Sequence, residues 1–483
     1  MKTIFIAPYR NVSIRYILST DIFKFLKKQK DLKIVVFLKR ENIEYYKKKY
    51  LGEDSNIYFE DIFYDNAYSS LRSGVGSFFN LVRMFTYGKR GKYINNAPKI
   101  WGQMYAEQFR NSSLKGKLVV FFAKFIAFLN NRSFVIRKST VILESLLLNG
   151  DIYDKYFINY KPKLLIASST GYMIDPFFMR SAKRNDCKVL SIVHSWDNPT
   201  TKAYGGVNPD YVIAWNDIMK KELNIFQDIP KEKIYVGGIA HWDVYFNGEL
   251  NNDSTYDFYN NFELSKNKKT ILYATSAPIM FKTTFDVIEH LLKQISSGQI
   301  DTSCQLLVRL HPNYLANQKN SDNKIIDLYK ERINIIQRKY GDSVSFCLPE
   351  VNFLENDYEL PIEDIKNLGK ILQNIDLLLT EYSTLMIEGS IFDKPVINVA
   401  LYKYRDTDKP ISIIEDLNHI KRVIKTGATR QVYDIDQLLN EINTYLKYPN
   451  IDKKNREKLV KQEITINKGN AGECIGRYIY ELL

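Results

Sequence analysis

Short apolar runs alternate with longer amphipathic segments along this chain, once before residue 247 and again after residue 270. Such alternation predicts parallel strands joined by helical crossovers. In the first half, strands are read at 3–9, 33–39, 164–169, 188–195, 211–216 and 234–239, with 56–64 a third strand or an extended loop. In the second half they are read at 270–276, 304–311, 343–348, 376–383 and 395–401, with helices near 281–297, 324–341, 361–374 and 384–393. A chain of 483 residues exceeds what one hydrophobic core organises. The expected architecture is therefore α/β, with two doubly wound domains and a cleft between them. The first domain spans 1–247 and carries a basic helical insertion at about 76–148; 248–269 connects it to a second domain at 270–455. A terminal helical segment, 456–483, is expected to cross back to the first.

The net charge of +13 is concentrated. Between Arg72 and Lys138 stand thirteen basic residues against the single acid Glu107, which leaves +1 for the rest of the chain. No helix-turn-helix, zinc-finger, RRM or KH signature accompanies that charge, so nucleic acid is not the expected partner. The stretch interleaves its cations with Phe78, Phe79, Phe85, Trp101, Phe121, Phe122, Phe125 and Phe128. That mixture fits either a pair of core helices with solvated cations or a surface leaning on an anionic membrane or lipid-linked acceptor. The four cysteines lie far apart, without metal-ligand spacing, which fits a reducing compartment. The N-terminus reads as a strand rather than a signal peptide, and no apolar stretch is long enough to span a bilayer. A cytoplasmic enzyme, peripheral at the inner face of the membrane, is the expectation.

Ligands of open parallel sheets bind beyond the carboxyl ends of the strands, so polar residues there are the candidates. In SIVHSWDNPTTK (191–202), His194 closes an apolar strand and is expected to act as general base, a neighbouring carboxylate fixing its tautomer and raising its basicity. Asp197 is the alternative base, and Trp196 and Asn198 are candidate acceptor contacts. In VRLHPN (308–313), Arg309 and His311 share a face by period two and suit a diphosphate. In LLLTEYSTLMIEGSIFDKPVINV (377–399), a strand runs through Ser383 and Thr384 into a helix whose N–H groups suit a phosphate, and Glu388 suits ribose hydroxyls. Gly238 in VGGIAHWD and Ser276 in TSAP are weaker donor-site candidates. No DxD motif sits at a strand end, so neither a metal nor another cofactor is expected.

In this order, HSWDN (194–198), VRLHP (308–312) and EYSTLMIEGSIFDKPV (381–396) resemble the GT-B enzymes of surface-carbohydrate biosynthesis. That group includes the CDP-glycerol glycerophosphotransferases and the capsule or lipopolysaccharide transferases, with the non-hydrolysing UDP-GlcNAc 2-epimerases more distant. The closing segments 426–446 and 468–479 are similar as well. The resemblance implies two Rossmann-like domains, a catalytic histidine at His194 and a phosphate-serving histidine at His311. It implies a diphosphate-binding hydroxyl pair at Ser383 and Thr384, and a ribose contact at Glu388. It departs from the glycerophosphotransferase pattern where SWDNPTT replaces a Gly-rich segment, and where Glu381 replaces the commoner Asp. Both departures favour a nucleotide-sugar donor and a glycan or lipid-linked acceptor. Polyol-phosphate transfer from a CDP-glycerol-type donor is the alternative, and a non-catalytic glycan-binding chain a further one.

Overall fold

The computed structural model describes residues 1–51, 56–110, 113–251, 257–278, 283–300, 303–316, 324–354, 358–401 and 412–483. Parts of the segments read above as 248–269 and 281–297 lie outside these residues. The chain forms two compact units, one comprising Met1–His241, Leu417–His419 and Thr465–Leu483, the other Trp242–Asp416 and Ile420–Ile464.

The first unit is built on strands β1 (Lys2–Ala7), β2 (Leu32–Leu38), β3 (Ile57–Asp61), β4 (Leu164–Ala167), β5 (Lys188–Ile192), β6 (Tyr211–Ala214) and β7 (Ile234–Val236). They form one parallel sheet in the order β3-β2-β1-β4-β5-β6-β7. The strands are almost continuously apolar because helices cover both faces; Phe5, Val35, Phe37, Leu165 and Val189 sit in one core with Phe157, Phe177 and Phe178. The order reverses between β1 and β4, and the crevice at such a reversal is where an open sheet binds ligands.

The second unit repeats the plan with β8 (Lys269–Ala274), β9 (Cys304–Arg309), β10 (Val344–Cys347), β11 (Leu377–Thr380), β12 (Val396–Val399) and β13 (Thr429–Val432). Their order is β10-β9-β8-β11-β12-β13, parallel throughout, with the reversal between β8 and β11. β13 was not among the strands read from the sequence, because TRQV carries only one strongly apolar residue and pairs on one side alone.

Several boundaries differ from the sequence reading. The strands stop one to three residues before the limits read from hydropathy, so His194, His311 and Ser383 fall in loops beyond β5, β9 and β11. The division between units falls after His241, upstream of 248–269, because Tyr245 already bonds within the second unit through Glu388. The Lys453–Glu463 helix stays in the second unit, where Arg456 pairs with Asp393, and only Thr465–Leu483 joins the first. There the Ala471–Glu481 helix lies against the Asp21–Lys27 helix at Gly472 and Gly476, whose added Cβ atoms would fall 3.0 Å from Asp21 Cβ and 2.9 Å from Phe25 Cβ.

The basic stretch folds as helices Gly74–Thr86, Gln103–Arg110, Leu114–Arg132 and Phe134–Leu147, with a wide π-type turn at Pro98–Gly102. Leu81, Val82, Ala106, Val120 and Ala123 form a small core of its own. Charged side chains anchor it: Glu144 is buried between Arg180 at 2.8 Å and Arg83 at 3.4 Å, and Arg137 meets Asp228 at 2.6 Å.

Candidate functional site

Strands β1, β4 and β5 are neighbours, so the loops leaving their carboxyl ends collect at one edge of the first sheet. His194 is buried there, its Nδ1 2.8 Å from the carbonyl oxygen of Ser168 in the loop after β4. A carbonyl only accepts, so Nδ1 carries the proton and Nε2 keeps its lone pair. Burial pushes the imidazole pKa down to about 4, Arg10 pushes it the same way, and the Ser168 carbonyl and Asp197 pull back only in part. This corrects the expectation that a carboxylate fixes the tautomer and raises basicity: a backbone carbonyl does the first, and the ring is neutral at pH 7. Asn198 Nδ2 lies 3.5 Å from Nε2 and donates to Tyr172 Oη at 2.9 Å, so Asn198 and Tyr172 line the basic side of the ring.

Asp197 is poorly suited to be the base. Its carboxylate accepts from Ser195 Oγ at 2.5 Å and Thr201 Oγ1 at 2.6 Å, and Lys202 Nζ stands 3.3 Å away. Burial alone would raise its pKa, but Lys202, His419 and the two hydroxyls outweigh it and hold the carboxyl far below the usual range. Asp197 thus folds the SWDNPTT turn. Trp196 is buried edge-on against His419, centroids 4.8 Å apart at 79°, and packs there instead of presenting its ring to an acceptor.

Sequence reasoning missed Asp175, which opens the Asp175–Arg184 helix and reads in the sequence as an ordinary first-turn acid before proline. It is buried, and its Oδ2 accepts from Ser168 Oγ at 3.3 Å, so the residue whose carbonyl holds His194 also bonds Asp175. Burial pushes its pKa up to about 7 against hydrogen bonds from Ser169 and Ser168 and the charge of Arg10. Ser168 and Tyr172 were equally hidden, since only the adjacency of β4 and β5 brings them to His194.

In the second unit, β9, β8 and β11 are neighbours, and Glu381 ties two of their ends together. One of its oxygens takes the Tyr273 hydroxyl and the other accepts from the Ser276 backbone N–H at 3.0 Å. The His311 N–H donates to Thr275 Oγ1 at 3.1 Å, which brings the β9 loop to the β8 loop. His311 Nδ1 accepts from the Asn313 N–H at 3.1 Å, so Nε2 carries the ring proton and is a donor. Burial lowers its pKa to about 4. Tyr382, at φ 48°, makes the left-handed turn from β11 into the Leu385–Ile391 helix, its N–H donating to Asn398 Oδ1 at 3.1 Å. Ser383 Oγ lies 2.8 Å from Thr380 Oγ1 and accepts from the Leu385 N–H at 3.3 Å. Thr384 Oγ1 donates to Glu388 Oε1 at 2.7 Å, and Tyr245 donates to Oε2 at 2.7 Å. Ser276, His311, Ser383 and Thr384 therefore gather at one sheet edge, with Glu388 buried behind them.

Two candidates stand apart. Arg309 points into the protein, where Nη2 meets Asp364 Oδ1 at 2.5 Å and Nη1 lies 3.2 Å from Cys347 Sγ. Burial alone would lower its pKa; Asp364 outweighs that and raises it. Period two placed Arg309 and His311 on one face, but β9 ends at Arg309 and the shared face is lost there. Gly238 belongs to the first unit, at φ +92°, where an added Cβ would lie 2.9 Å from Ala471 Cβ and 3.0 Å from the Ile466 carbonyl oxygen. Close helix packing accounts for that glycine. Among the described residues no cluster of three or more His, Cys, Asp or Glu could hold a metal.

Two doubly wound sheets, each with its polar groups at the carboxyl edge beside a reversal of strand order, define a GT-B-type fold. The chain belongs to the CDP-glycerol:poly(glycerophosphate) glycerophosphotransferase family, whose model matches residues 182–481. It is thus an enzyme, a transferase of the glycerophosphotransferase type. Among solved structures it is similar in fold to S. aureus MnaA in complex with UDP, at TM-score 0.51 and 12% identity over 100% of this chain and 98% of that one. UDP-GlcNAc 2-epimerase from Neisseria meningitidis, bound to UDP-GlcNAc, matches at TM-score 0.50 and 12% identity over 100% and 99%. The wall teichoic acid polymerase TagF aligns at TM-score 0.47 and 12% identity over 99% and 88%. No curated protein matches the chain in sequence.

Proposed function

We propose that this enzyme moves an activated unit from a nucleotide donor to a hydroxyl of a growing glycan or lipid-linked surface polymer, with His194 as base and no metal. The observation that carries the proposal is the tautomer of His194: the Ser168 carbonyl holds the proton on Nδ1, leaving Nε2 to take the acceptor hydroxyl's proton. The second unit supplies the donor groups. Ser383 and Thr384 contribute hydroxyls before a helix, His311 contributes an N–H on Nε2, and Ser276 and Glu388 complete the set. Arg309 and Asp197 act as positioning residues, and capsule or lipopolysaccharide assembly at the cytoplasmic face of the membrane is the proposed setting.

Family membership favours a polyol phosphate as the unit moved. A second reading, sugar transfer, is favoured by the Ser195–Thr201 segment that replaces the Gly-rich pattern. The leaving group separates them. With a nucleoside-diphosphate donor, attack of the acceptor at the distal phosphorus releases a nucleoside monophosphate, whereas attack at the anomeric carbon of a nucleoside-diphosphate sugar releases a nucleoside diphosphate.

The test is a thermal-shift screen with UDP, CDP, GDP, CMP and ADP in EDTA, followed by identification of the nucleotide released from the matching donor. A nucleotide at 100-fold over its Kd stabilises by about 2.7 kcal/mol. Loss of that shift in Ser383→Ala with Glu388→Gln supports the donor site. A folded protein that no nucleotide stabilises, or a shift that needs a divalent metal, overturns the proposal.

A further inference from the structure

The two loops that flank the basic side of His194 are each tied to the helical insertion by a buried side chain. Arg83, on the Gly74–Thr86 helix, is 2% exposed, and its Nη1 donates to the carbonyl oxygen of Gly171 at 3.0 Å. Gly171 stands in the loop after β4, immediately before Tyr172, at φ +91°. Asn95 follows the short hairpin of Lys89–Arg90 and Tyr93–Ile94, is equally buried, and donates from Nδ2 to the Thr200 carbonyl at 2.9 Å. Thr200 lies in the Asn198–Thr201 turn after β5. Tyr172 and Asn198 line His194 Nε2, so each wall of the basic side has its own tie to the insertion. All of these residues belong to the first unit.

Both ties are held from behind. Glu144 Oε2 lies 3.4 Å from Arg83 Nε, and Arg180 Nη2 meets the other Glu144 oxygen at 2.8 Å, so a buried carboxylate fixes the guanidinium. Desolvation cancels much of the attraction in such a buried ion cluster, which makes it a poor source of stability; what it supplies here is a fixed place for one carbonyl. That carbonyl also accepts from the Gly206 N–H at 2.8 Å, and the Tyr204 N–H donates to the Arg83 carbonyl at 3.1 Å. An added Cβ at Gly206 would stand 3.0 Å from Arg83 Nη1, and one at Gly205 2.4 Å from the Thr170 carbonyl oxygen, so glycines let this segment close over the contact. Asn95 Oδ1 accepts from the Ala97 N–H at 3.1 Å, which orients the amide and aims Nδ2 at Thr200. Ser169 Oγ then accepts from the Gly171 and Tyr172 N–H groups, both at 3.2 Å, and Asn198 Nδ2 bonds Tyr172 Oη at 2.9 Å. A shift of either backbone segment therefore moves the Tyr172–Asn198 pair against Nε2.

We infer that Arg83 and Asn95 are positioning residues for transfer, acting through the Gly171 and Thr200 carbonyls to hold Tyr172 and Asn198 against the lone pair of His194. The inference rests on His194 as base, given under the proposed function, and adds the residues that set its surroundings. Its main readout uses neither donor nor acceptor. Failure there would leave the transfer chemistry standing, and a protein that binds no nucleotide would leave this readout intact.

The experiment is a pH titration of the full chain, isotope-labelled at its histidine nitrogens and followed in two-bond proton–nitrogen spectra. The chain has five histidines, and His194→Gln assigns the signals of interest. The charged and titratable groups around the ring, Arg10, Asp197, Lys202 and His241, are the same in every other variant. Wild-type His194 is expected to titrate at about 4 with its proton on Nδ1. Arg83→Met with Asn95→Ala should raise that midpoint by about one pH unit or more, because a loosened wall admits water to Nε2 and burial is what holds the midpoint down. Arg83→Met leaves Glu144 paired with Arg180 and the Gly171 carbonyl bonded to Gly206, so the fold keeps its support. Asn95→Ala alone should raise the midpoint by roughly half a unit, and it decides the matter if the double variant does not fold. Arg83→Lys keeps a donor and the charge, and should titrate close to wild type. Thr86→Val removes the buried bond from Asn130 to Thr86 Oγ1, 3.2 Å, inside the same insertion; it should lower the melting temperature without moving the midpoint. Transfer by the double variant should fall roughly tenfold to a hundredfold, with the nucleotide-induced melting shift unchanged. A midpoint that the Asn95 and double variants leave in place overturns the inference, as does one that Thr86→Val moves equally. A wild-type ring that already titrates like a solvated imidazole overturns it too, since no wall would then be excluding water.

Discussion

Replacing Asp364 by Asn tests the reassignment of Arg309 from ligand contact to internal support. The two side chains are 8% and 7% exposed and meet at 2.5 Å, with Arg309 Nη1 also against Cys347. Asn keeps the shape and can still accept from the Glu350 N–H, which now bonds Asp364 Oδ1 at 3.0 Å, so the change removes charge and little else. Stripping one partner from a buried pair leaves an uncompensated ion, at a cost of about 3–5 kcal/mol. Removing the second charge as well, in Arg309→Met with Asp364→Asn, should restore about 2 kcal/mol or more, since no ion is left unpaired. Urea unfolding followed by a probe in the second unit measures both, because two units need not unfold as one. Nucleotide affinity of the double variant gives the functional half: a supporting Arg309 predicts affinity within about threefold of wild type, or about 0.7 kcal/mol. A cost below about 1 kcal/mol for Asp364→Asn would refute the energetic argument. A stable double variant that has lost nucleotide binding would return Arg309 to the donor site.

Three further outcomes are expected. His194→Gln should lower transfer by roughly 10²–10⁴-fold while leaving the nucleotide-induced melting shift intact, a split visible in paired activity and thermal-shift assays. The native His194 ring resists protonation until about pH 4 whereas the unfolded ring charges near 6.5, so stability from this group is present above pH 6.5 and lost as pH falls toward 4, by about 3 kcal/mol. Asp175 opposes it, its native carboxyl keeping a proton to about pH 7 against 3.8 unfolded, so its contribution falls as pH rises. Asp175→Asn should therefore raise stability at pH 7 and steepen the loss on acidification, read from melting temperature against pH. Gly238→Ala should destabilise the first unit by roughly 1–3 kcal/mol, since its φ of +92° and the Ala471 contact both oppose a side chain; circular-dichroism melting checks it.

The parallel sheets were legible because strands buried on both faces must be apolar throughout, whatever their neighbours, and that signature is local. The same locality exposed His194, His311 and the Ser383–Thr384 pair, which follow such runs directly. Strand ends were read too long, since hydropathy continues into loops that tertiary contacts bury, as at Val193 and Leu310. The fate of each polar group was not legible at all. Arg309 and Asp197 look like ligand contacts until Asp364, 55 residues away, and the Ser195–Thr201 turn are seen to occupy them. Ser168, 26 residues before His194, fixes its tautomer through a backbone carbonyl, a group every residue carries and no sequence pattern marks. The basic, aromatic-rich stretch was visible as composition, but which phenylalanines face out depended on which stripe the Gly74–Thr86 helix buries. Local residue pattern sets the layers and the strand ends where chemistry gathers. Which charges are already paired and which remain for a ligand is settled by tertiary contacts, because pairing depends on distances between segments that the order of residues does not contain.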